Sequence, residues 1–202
     1  MIVGLCGGSG AGKTTIIEMV KEHFPGQVSV IDMDNYYISR DELPFEERRL
    51  INYDVPESLD WEMMIRHIEI LKRGESIEQP QFTFQTYERT EETVTTVPSP
   101  ILIVDGIFSL YYEKLCSFYD LKVFVDVPSE IRLARRMERN IERYGRTAEF
   151  EIEQYYEKVK PMHEKYVEPC KKKADFVFSF EEKTERSIVS FLAALETAFS
   201  TK

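Results

Sequence analysis

Short apolar runs alternate along the chain with longer stretches in which apolar residues recur at helical spacing. The short runs predict β-strands at residues 1–6, 28–31, 101–104, 123–127 and 176–178. The helical spacing predicts helices at residues 15–24, 59–73, 129–142, 149–171 and 184–199. This alternation is typical of an α/β fold, in which a parallel sheet carries helices on both faces.

Residues 76–97 interrupt the alternation. Two β-rich runs, at 81–86 and 93–97, flank a polar segment at 87–92, and no helix separates them. They predict an antiparallel hairpin inserted beside the main sheet. The sequence shows no internal repeat or linker, so we expect one domain over residues 1–202. Residues 179–202 lack recognisable site features, and we expect the helix after Lys183 to serve core packing.

A glycine-rich loop joins the first predicted strand to the first predicted helix. It matches the pattern G-x-x-x-x-G-K-[ST], in which backbone N–H groups form a cradle for phosphate. The helix N-terminus adds partial positive charge, the lysine reaches the outer phosphates, and the next hydroxyl ligates Mg²⁺. A glycine-rich turn that binds nothing is the alternative, and the strand and helix on either side disfavour it. The sequence therefore predicts a P-loop NTPase-type nucleotide site. Its residues are Gly7, Gly8, Ser9, Gly10, Ala11, Gly12, Lys13, Thr14 and Thr15.

Composition limits the partners and the compartment. The formal net charge is −10, which disfavours nucleic acid and anionic membranes as partners. A nucleotide is still compatible, because its phosphates respond to the local field. No stretch approaches the ~20 apolar residues of a membrane span, and the N-terminus lacks a signal-peptide pattern. Cys6, Cys116 and Cys170 have neither metal-ligand nor disulfide-framework spacing, so we expect a cytoplasmic protein.

Carboxylates follow two of the predicted strands, at the sheet edge where ligands bind in such folds. Asp34 follows the second strand, where a carboxylate can take a proton from an attacking hydroxyl. Asp32 is its rival, and capping of the following turn is the structural alternative. Asp105 follows the run at 101–104, the position of an acid that holds Mg²⁺ directly or through water, with a simple turn residue as the alternative. We expect Thr14, Asp34 and Asp105 near the metal.

An arginine stripe is the second strong feature of the chain. Six arginines fall within an arc of about 100° on one helix. They are Arg132, Arg135, Arg136, Arg139, Arg143 and Arg146. The opposite side, with Leu133, Ala134, Met137 and Ile141, is free to pack. Guanidinium groups suit phosphate oxygens, and Gly145 offers a hinge, so we favour a mobile basic lid at about 136–155 over a solvated face paired with glutamates.

Several stretches together resemble the uridine (uridine–cytidine) kinases. The matching stretches are GGSGAGKTT (7–15), DNYY (34–37), INYDVPESLDW (51–61), LKRGESIEQPQFTFQTYERTEETVTTVP (71–98), IVDGIFSLYY (103–112), VFVDVPSEIRLARRMERNIERYGR (123–146) and QYYEKVKPMHEKYVEP (154–169). Their order and spacing make the resemblance specific. It implies an ATP- and Mg²⁺-dependent kinase that phosphorylates uridine or cytidine at the 5′-hydroxyl to UMP or CMP, in pyrimidine salvage. GTPases are disfavoured, because the chain has no N-K-x-D guanine signature.

The resemblance also implies roles at matching positions. Asp34 would be the general base near the 5′-hydroxyl, Lys13 would stabilise the transferring phosphoryl, and Asp54 would hold the ribose hydroxyls. The residues expected to line the nucleoside site with Asp54 are Tyr37, Tyr53, Phe82, Phe84, Tyr87, Ile107, Arg136 and Gln154. The arginines expected at the nucleotide or in the lid are Arg139, Arg143 and Arg146.

Four positions depart from the family pattern. Many members carry His at Tyr87 and Tyr at Phe82, two positions at the base, so the choice between uridine and cytidine stays open and cytidine is favoured. Many carry Glu at Asp105, and the shorter side chain favours a metal contact through water. An arginine is usual at Tyr144, and the adjacent Arg143 is expected to compensate.

Strict strand alternation would put Tyr87 on the opposite face from Phe82 and Phe84. If all three contact the base, the strand must bend or end near 85–86. Two other functions stay open: a kinase of the same architecture acting on another small alcohol, such as pantothenate or a sugar phosphate, and a nucleotide-dependent regulatory switch. The expected partners are a small-molecule nucleoside and further copies of the chain in a homo-oligomer.

Overall fold

The computed structural model describes residues 1–180 and 184–200. Its strands are β1 (Ile2–Gly7), β2 (Val28–Asp32), β3 (Ile77–Thr83), β4 (Glu88–Thr96), β5 (Ile101–Gly106), β6 (Leu121–Asp126) and β7 (Phe176–Ser179). Five of them form a parallel sheet in the order β2-β5-β1-β6-β7, and β3 pairs with β4 in a separate antiparallel sheet. The predicted α/β fold with a parallel sheet and an added hairpin is confirmed.

Helices connect the parallel strands. They are α1 (Lys13–His23), α2 (Phe45–Arg48), α3 (Trp61–Lys72), α4 (Glu113–Cys116), α5 (Ser129–Tyr144), α6 (Ala148–Gln154), α7 (Lys160–Met162) and α8 (Thr184–Ser200). One segment that was predicted as a single α-helix is not a regular α-helix. The segment predicted as one helix at 149–171 is α6 followed by π turns at Tyr155–Val159 and His163–Val167 and a 3₁₀ turn at Glu168–Lys173. Pro161 and Pro169 lack the N–H that a regular α-helix needs, so they favour this irregular winding.

The two faces of the sheet carry separate apolar cores. Successive residues of a strand point to opposite faces, so Leu5 packs on the side of α1 and α8, and Cys6 packs on the side of α3. Phe191 and Leu195 of α8 are buried in the first core, which confirms core packing for this helix. Helices thus cover both faces, as predicted, and the functional surface must lie at a sheet edge.

The hairpin lies where it was predicted, but its tip was placed wrongly. Residues 88–92 belong to β4 and not to the tip, and the reversal occurs at 84–87, where the Tyr87 N–H donates to the Thr83 carbonyl at 2.8 Å. Tyr87 has a left-handed backbone, with φ of 57°, which reverses the chain directly after β3. The Arg89 guanidinium donates to the Tyr36 carbonyl at 3.1 Å. This contact holds the polar residues 88–92 in the extended conformation of β4.

Side chains attach the hairpin to β2, the edge strand of the main sheet. The Gln79 side chain accepts from the Asp32 N–H at 2.9 Å, and the Ser29 hydroxyl donates to the Val97 carbonyl at 2.6 Å. The Asn35 side chain accepts from the Phe82 N–H at 3.1 Å. These bonds place the aromatic residues of the hairpin beside the carboxyl end of β2. In the part of the chain that the structure describes, no helix has the length and apolar character to cross a membrane.

Candidate active site

The glycine-rich loop lies between the carboxyl end of β1 and the first turn of α1. Gly10 and Gly12 have left-handed backbones, with φ of 82° and 92°. A Cβ at Gly10 would lie 2.4 Å from the carbonyl oxygen of Arg132, so the loop approaches α5 only because this residue is glycine. Lys13 begins α1, and its ammonium donates to the Gly7 carbonyl at 3.1 Å. The loop thus has the strand–loop–helix geometry that binds phosphate.

The loop forms one end of a cavity of about 240 Å³. The opposite end holds aromatic rings and a carboxylate, and α5 closes one side. The cavity is lined by Ser9, Gly10, Ala11, Gly12, Lys13, Thr14, Asp34, Tyr37, Tyr53, Asp54, Phe84, Ile107, Arg135, Arg136, Arg139, Asn140, Tyr144 and Arg146. Most of the residues predicted for the site are therefore brought to one space. Asn140 lines it without having been predicted to, Arg135 had been named only as part of the arginine stripe, and Tyr144 only as a departure from the family pattern.

Asp32 and Asp34 have different environments. The Asp32 carboxylate accepts from the Asp34 N–H at 3.0 Å and so caps the 3₁₀ helix Met33–Tyr36. The Asp34 side chain is exposed to the cavity. Desolvation in the cleft, with the nearby carboxylates of Asp34 and Asp105, raises the pKa of Asp32 to about 7. Both carboxylates are exposed, but Asp34 lines the cavity, whereas Asp32 accepts from the backbone at the turn that holds Asp34.

Asp105 lies directly opposite Asp32 in the register of β2 and β5. One of its carboxylate oxygens is buried without a hydrogen-bond partner and lies 3.9 Å from the Lys13 ammonium. Burial raises the pKa of Asp105 to about 6, and Lys13 opposes that shift. A carboxylate oxygen that lacks a hydrogen-bond partner beside the phosphate loop is suited to bind a cation.

Two arginines of α5 converge on the phosphate loop. Arg136 and Arg139 donate to the Ser9 hydroxyl at 3.1 and 3.3 Å. Burial, and the neighbouring charge of Arg136, lower the pKa of Arg139. Two guanidinium groups that donate to the same hydroxyl are stabilised by an anion, so their arrangement suits a phosphoryl group at the loop.

The six arginines of the stripe do not all face the cavity. Arg132 is buried, donates from Nε to the Val127 carbonyl at 3.0 Å and packs behind the loop, and Arg143 is exposed outside the cavity. The apolar side that was expected to pack is only partly covered, since Ile141 is exposed. Instead α5 buries Asn140, because the helix packs its polar side against the loop and α6.

A buried carboxylate joins two of these arginines. Glu151 of α6 is fully buried and pairs with Arg136 at 3.3 Å and with Arg146 at 2.9 Å. The Asn140 amide donates to the same carboxylate at 2.8 Å. Neither Glu151 nor Asn140 was predicted, because both occur in polar helical stretches where the sequence pattern gives no sign of burial.

Aromatic rings form the other end of the cavity. Tyr37 contacts Tyr53, Phe82 and Phe84, with ring centroids 5.4 to 5.5 Å apart. Tyr87 stacks on Tyr53 at 5.6 Å, with an angle of 24° between the rings. Asp54 lies beside this aromatic wall, and burial raises its pKa although Arg136 opposes the shift. A flat apolar surface next to a carboxylate can bind a planar base and its polyol.

A family model described as phosphoribulokinase / uridine kinase matches residues 2–186. The chain belongs to this family. A uridine kinase of Macrococcus caseolyticus is 40% identical to it over 177 residues, which cover 87% of this chain and 86% of the relative. The resemblance read from the sequence motifs is therefore confirmed.

Solved structures agree on the fold of this family member. A putative fructose transport system kinase from Silicibacter sp. TM1040 has a TM-score of 0.71 at 20% identity, over 88% of this chain and 89% of that one. A possible uridine kinase from Bacillus stearothermophilus has a TM-score of 0.54 at 21% identity, over 89% and 88%. At these identities the likeness concerns the fold alone.

Some residues predicted for the site lie outside the cavity of this kinase-family chain. Phe82 and Tyr87 belong to the aromatic wall, but their side chains lie behind Tyr53 and Phe84. The strand does end before Tyr87, at Thr83, which confirms the predicted bend. The other residues that do not line the cavity are Gly7, Gly8, Thr15, Asp105, Arg143 and Gln154.

A second cavity, of about 360 Å³, lies on the other side of the loop. Thr15 and Ile16 of α1 line it, together with Phe178, Phe180 and Ile188. Phe180 and Ile188 lie in the segment 179–202, in which the sequence shows no recognisable site features. The sequence did not reveal this, because the segment approaches the loop only after α8 has packed on α1.

The residues present fit a nucleotide and Mg²⁺. The Thr14 hydroxyl lies in the cavity and Asp105 has an unpartnered buried oxygen, the two kinds of ligand that Mg²⁺ takes near a phosphate loop. Among residues 1–180 and 184–200, no group of three or more His, Cys, Asp or Glu side chains could hold a metal on its own. Phosphate oxygens would therefore complete the coordination of the ion.

Proposed function

We propose that the protein transfers the γ-phosphoryl group of ATP to the 5′-hydroxyl of a pyrimidine nucleoside, uridine or cytidine, and so makes UMP or CMP. The observation that carries the proposal is that one cavity holds the phosphate loop, the free Asp34 carboxylate and the aromatic wall with Asp54. Uridine kinases at 38 to 40% identity over most of the chain support the same substrate class.

The acceptor would lie between Asp34 and the aromatic wall. The pyrimidine would pack against Tyr53 and Phe84, and the Asp54 carboxylate would accept from the two ribose hydroxyls. This orientation directs the 5′-hydroxyl toward the loop. Asp34 would then accept the hydroxyl proton as the oxygen attacks the γ-phosphorus, and the bond from that phosphorus to the bridging oxygen would break to release ADP.

The phosphate side of the cavity would stabilise the charge of the transferring group. Lys13, the loop N–H groups and the guanidiniums of Arg136 and Arg139 face that position. Mg²⁺, held by Thr14 and Asp105, would neutralise phosphate charge when bound. Lys13 now donates to the Gly7 carbonyl, so nucleotide binding would exchange this bond for one to phosphate.

The base of the donor would occupy the second cavity. Its lining is largely apolar, and the Arg135 guanidinium lies 5.9 Å from the centre of the Phe180 ring, which leaves a cation and an aromatic ring beside the same space. A purine fits such a surface, and the cavity adjoins Gly12 of the loop. This arrangement supports ATP as the donor.

A kinase for a sugar phosphate is the weaker candidate. The acceptor end of the cavity holds aromatic rings and the Asp54 carboxylate, whose negative charge would repel a second phosphate. We also propose that the protein forms a homo-oligomer in the cytoplasm. Light scattering on the purified protein measures its mass in solution and so tests the homo-oligomer. The mass of a single chain would contradict it.

The test of the function is a panel of nucleosides with the purified protein and Mg²⁺–ATP, with products identified by mass spectrometry. We expect uridine or cytidine to give a 5′-monophosphate at rates at least ~10²-fold above those of purine nucleosides. ATP consumption that stays flat with every nucleoside would overturn the proposal and favour a regulatory switch.

A further inference from the structure

Glu151 has an unusual environment for a helical glutamate. It has no exposed surface, although it lies in the short helix α6, within the segment that the sequence predicts as a charged lid. One carboxylate oxygen accepts from Asn140 at 2.8 Å and from Arg136 at 3.3 Å. The other oxygen accepts from Arg146 at 2.9 Å. A buried carboxylate is stable only when paired in this way, so its partners are held firmly.

Each arginine uses only part of its guanidinium for Glu151. Arg136 donates from Nε to Glu151 and from Nη1 to Ser9 of the phosphate loop. Arg146 donates from Nη1 to Glu151 and from Nη2 to the Tyr87 hydroxyl at 2.6 Å and the Phe84 carbonyl at 3.3 Å. One carboxylate therefore connects the phosphate loop to the aromatic wall through two rigid planar groups.

This geometry constrains both ends of the cavity together. A guanidinium is planar, so fixing one edge on Glu151 fixes the direction of the other edge. Gly145 has a left-handed backbone between α5 and α6, which lets the two helices fold back on each other and bring Glu151 between the arginines. If α6 moved away, Arg136 and Arg146 would both lose their shared partner.

We propose that Glu151 is a positioning residue that couples the nucleotide end of the site to the nucleoside end, by holding Arg136 and Arg146 in their working orientations. The inference rests on the proposed function for the identity of the second substrate. It adds a residue that does not line the cavity, and it predicts that binding of either substrate strengthens binding of the other through the lid.

The first test replaces the carboxylate by its neutral isostere, Glu151→Gln. We expect the KM values for ATP and for the nucleoside each to rise about tenfold, because both arginines lose a charged partner, while kcat changes less. The matched control is Glu153→Gln, an exposed glutamate of the same helix, which should leave both KM values unchanged. A Glu151→Gln enzyme that folds and keeps both KM values within twofold of wild type would overturn the proposal.

The second test exchanges the amide at position 140 and the carboxylate at position 151. In Asn140→Asp with Glu151→Gln, the negative charge stays in the same buried network, and the amide and carboxylate exchange places. We expect this double variant to recover most of the affinity for both substrates. A purely structural role would restore the melting temperature without restoring either KM. A double variant that has a wild-type melting temperature but recovers neither KM would count against the proposal. A double variant that does not fold would also count against it.

Binding measurements separate this inference from the proposed function. Calorimetry with a non-hydrolysable ATP analogue reports on Arg136 whether or not a nucleoside is the acceptor. We expect Glu151→Gln to weaken analogue binding about tenfold. If the wild type phosphorylates no nucleoside but Glu151→Gln still weakens analogue binding, the function fails and the positioning role at the nucleotide end stands. If Glu151→Gln binds the ATP analogue as tightly as the wild type does, the positioning role is ruled out, even if the wild type phosphorylates uridine.

Discussion

Asp32 accepts a hydrogen bond from the backbone N–H of Asp34, with 3.0 Å between the two atoms, and this bond gives two neighbouring carboxylates different tasks. Asp32 caps the turn that follows β2, so its carboxylate is engaged at the backbone. Asp34 is left to face the cavity. The structure thus supports the choice of Asp34 over Asp32 as the base, which the sequence alone left as a rivalry between residues two positions apart.

Asp34→Asn should lower kcat by ~10²-fold or more and leave the nucleoside KM nearly unchanged, because an amide cannot accept the hydroxyl proton. Asp32→Asn is the matched control. The amide that this control introduces keeps an oxygen that can accept the Asp34 N–H, so we expect kcat within about fivefold of wild type. Steady-state kinetics on both variants decides the matter, and a greater loss of kcat in Asp32→Asn would reverse the assignment.

Gly10→Ala should abolish tight nucleotide binding. Its Cβ would meet the Arg132 carbonyl at 2.4 Å, and the φ of 82° is unfavourable for alanine, so the loop must move away from α5. We expect at least a ~10-fold rise in the ATP KM. Gly26→Ala is the control, since Gly26 has a similar φ of 72° with no atom within 4 Å of the added Cβ. It should cost about 1 kcal/mol of stability and leave the ATP KM unchanged, as thermal melts and kinetics will show.

Tyr87 should influence the nucleoside through Arg146. The Tyr87 hydroxyl accepts from Arg146, and Arg146 lines the cavity, whereas the Tyr87 ring stacks behind Tyr53. Tyr87→His changes the group that holds Arg146, and histidine tolerates the left-handed backbone at this position. We expect the uridine-to-cytidine ratio of kcat/KM to shift at least ~3-fold.

Tyr112→Phe is the control for this substitution, because Tyr112 packs on Trp61 and does not line the cavity. It should leave the ratio as in the wild type. An unchanged ratio in Tyr87→His would mean that the residue at position 87 does not select the base.

His163 should make the protein less stable in acid. Burial, and the nearby charge of Arg132, lower the pKa of His163 to about 4, although the carboxylate of Asp126 acts in the opposite direction. The unfolded chain therefore binds a proton at a higher pH than the folded one, near the usual histidine pKa of about 6.5. The stability that comes from a neutral His163 is present above about pH 6.5 and is lost as the pH falls toward about 4.

His163→Gln isolates this effect from the rest of the molecule. The difference in unfolding free energy between wild type and His163→Gln should change by about 2–3 kcal/mol between pH 7 and pH 4, in favour of the variant at low pH. His23→Gln, which changes an exposed histidine beside Glu196, is the comparison variant. Denaturant titrations at several pH values measure both differences, and equal slopes for the two variants would contradict the prediction.

The glycine-rich loop and the two strand-end carboxylates lie at the places in the fold that their local sequence predicts. The phosphate loop needs only a strand, glycines and a helix in succession, so residues 7–15 identified it. Asp34 and Asp105 followed from the rule that strand ends meet at one edge of a parallel sheet. These predictions depend on order along the chain, which the sequence contains.

The parts that depend on distant contacts were missed or misplaced. The hairpin turn was placed at polar residues, because the contact that extends them, from Arg89 to the Tyr36 carbonyl, joins positions 53 residues apart. Glu151 was overlooked because charged helical residues are usually exposed, and its burial follows from the packing of α6 on α5. Hydrophobic periodicity cannot report a polar side chain that is buried by its partners.

Among the described residues the hairpin shares no strand pairing with the main sheet, and side chains such as Gln79 and Ser29 attach it to β2. The phosphate loop follows β1, the central strand of the other sheet. The phosphate loop and Phe84, the hairpin residue that lines the cavity in the described part of the chain, consequently belong to separately paired sets of strands. A different side chain at position 84 would therefore reshape one wall of the cavity while the phosphate loop and the anchoring side chains stay unchanged.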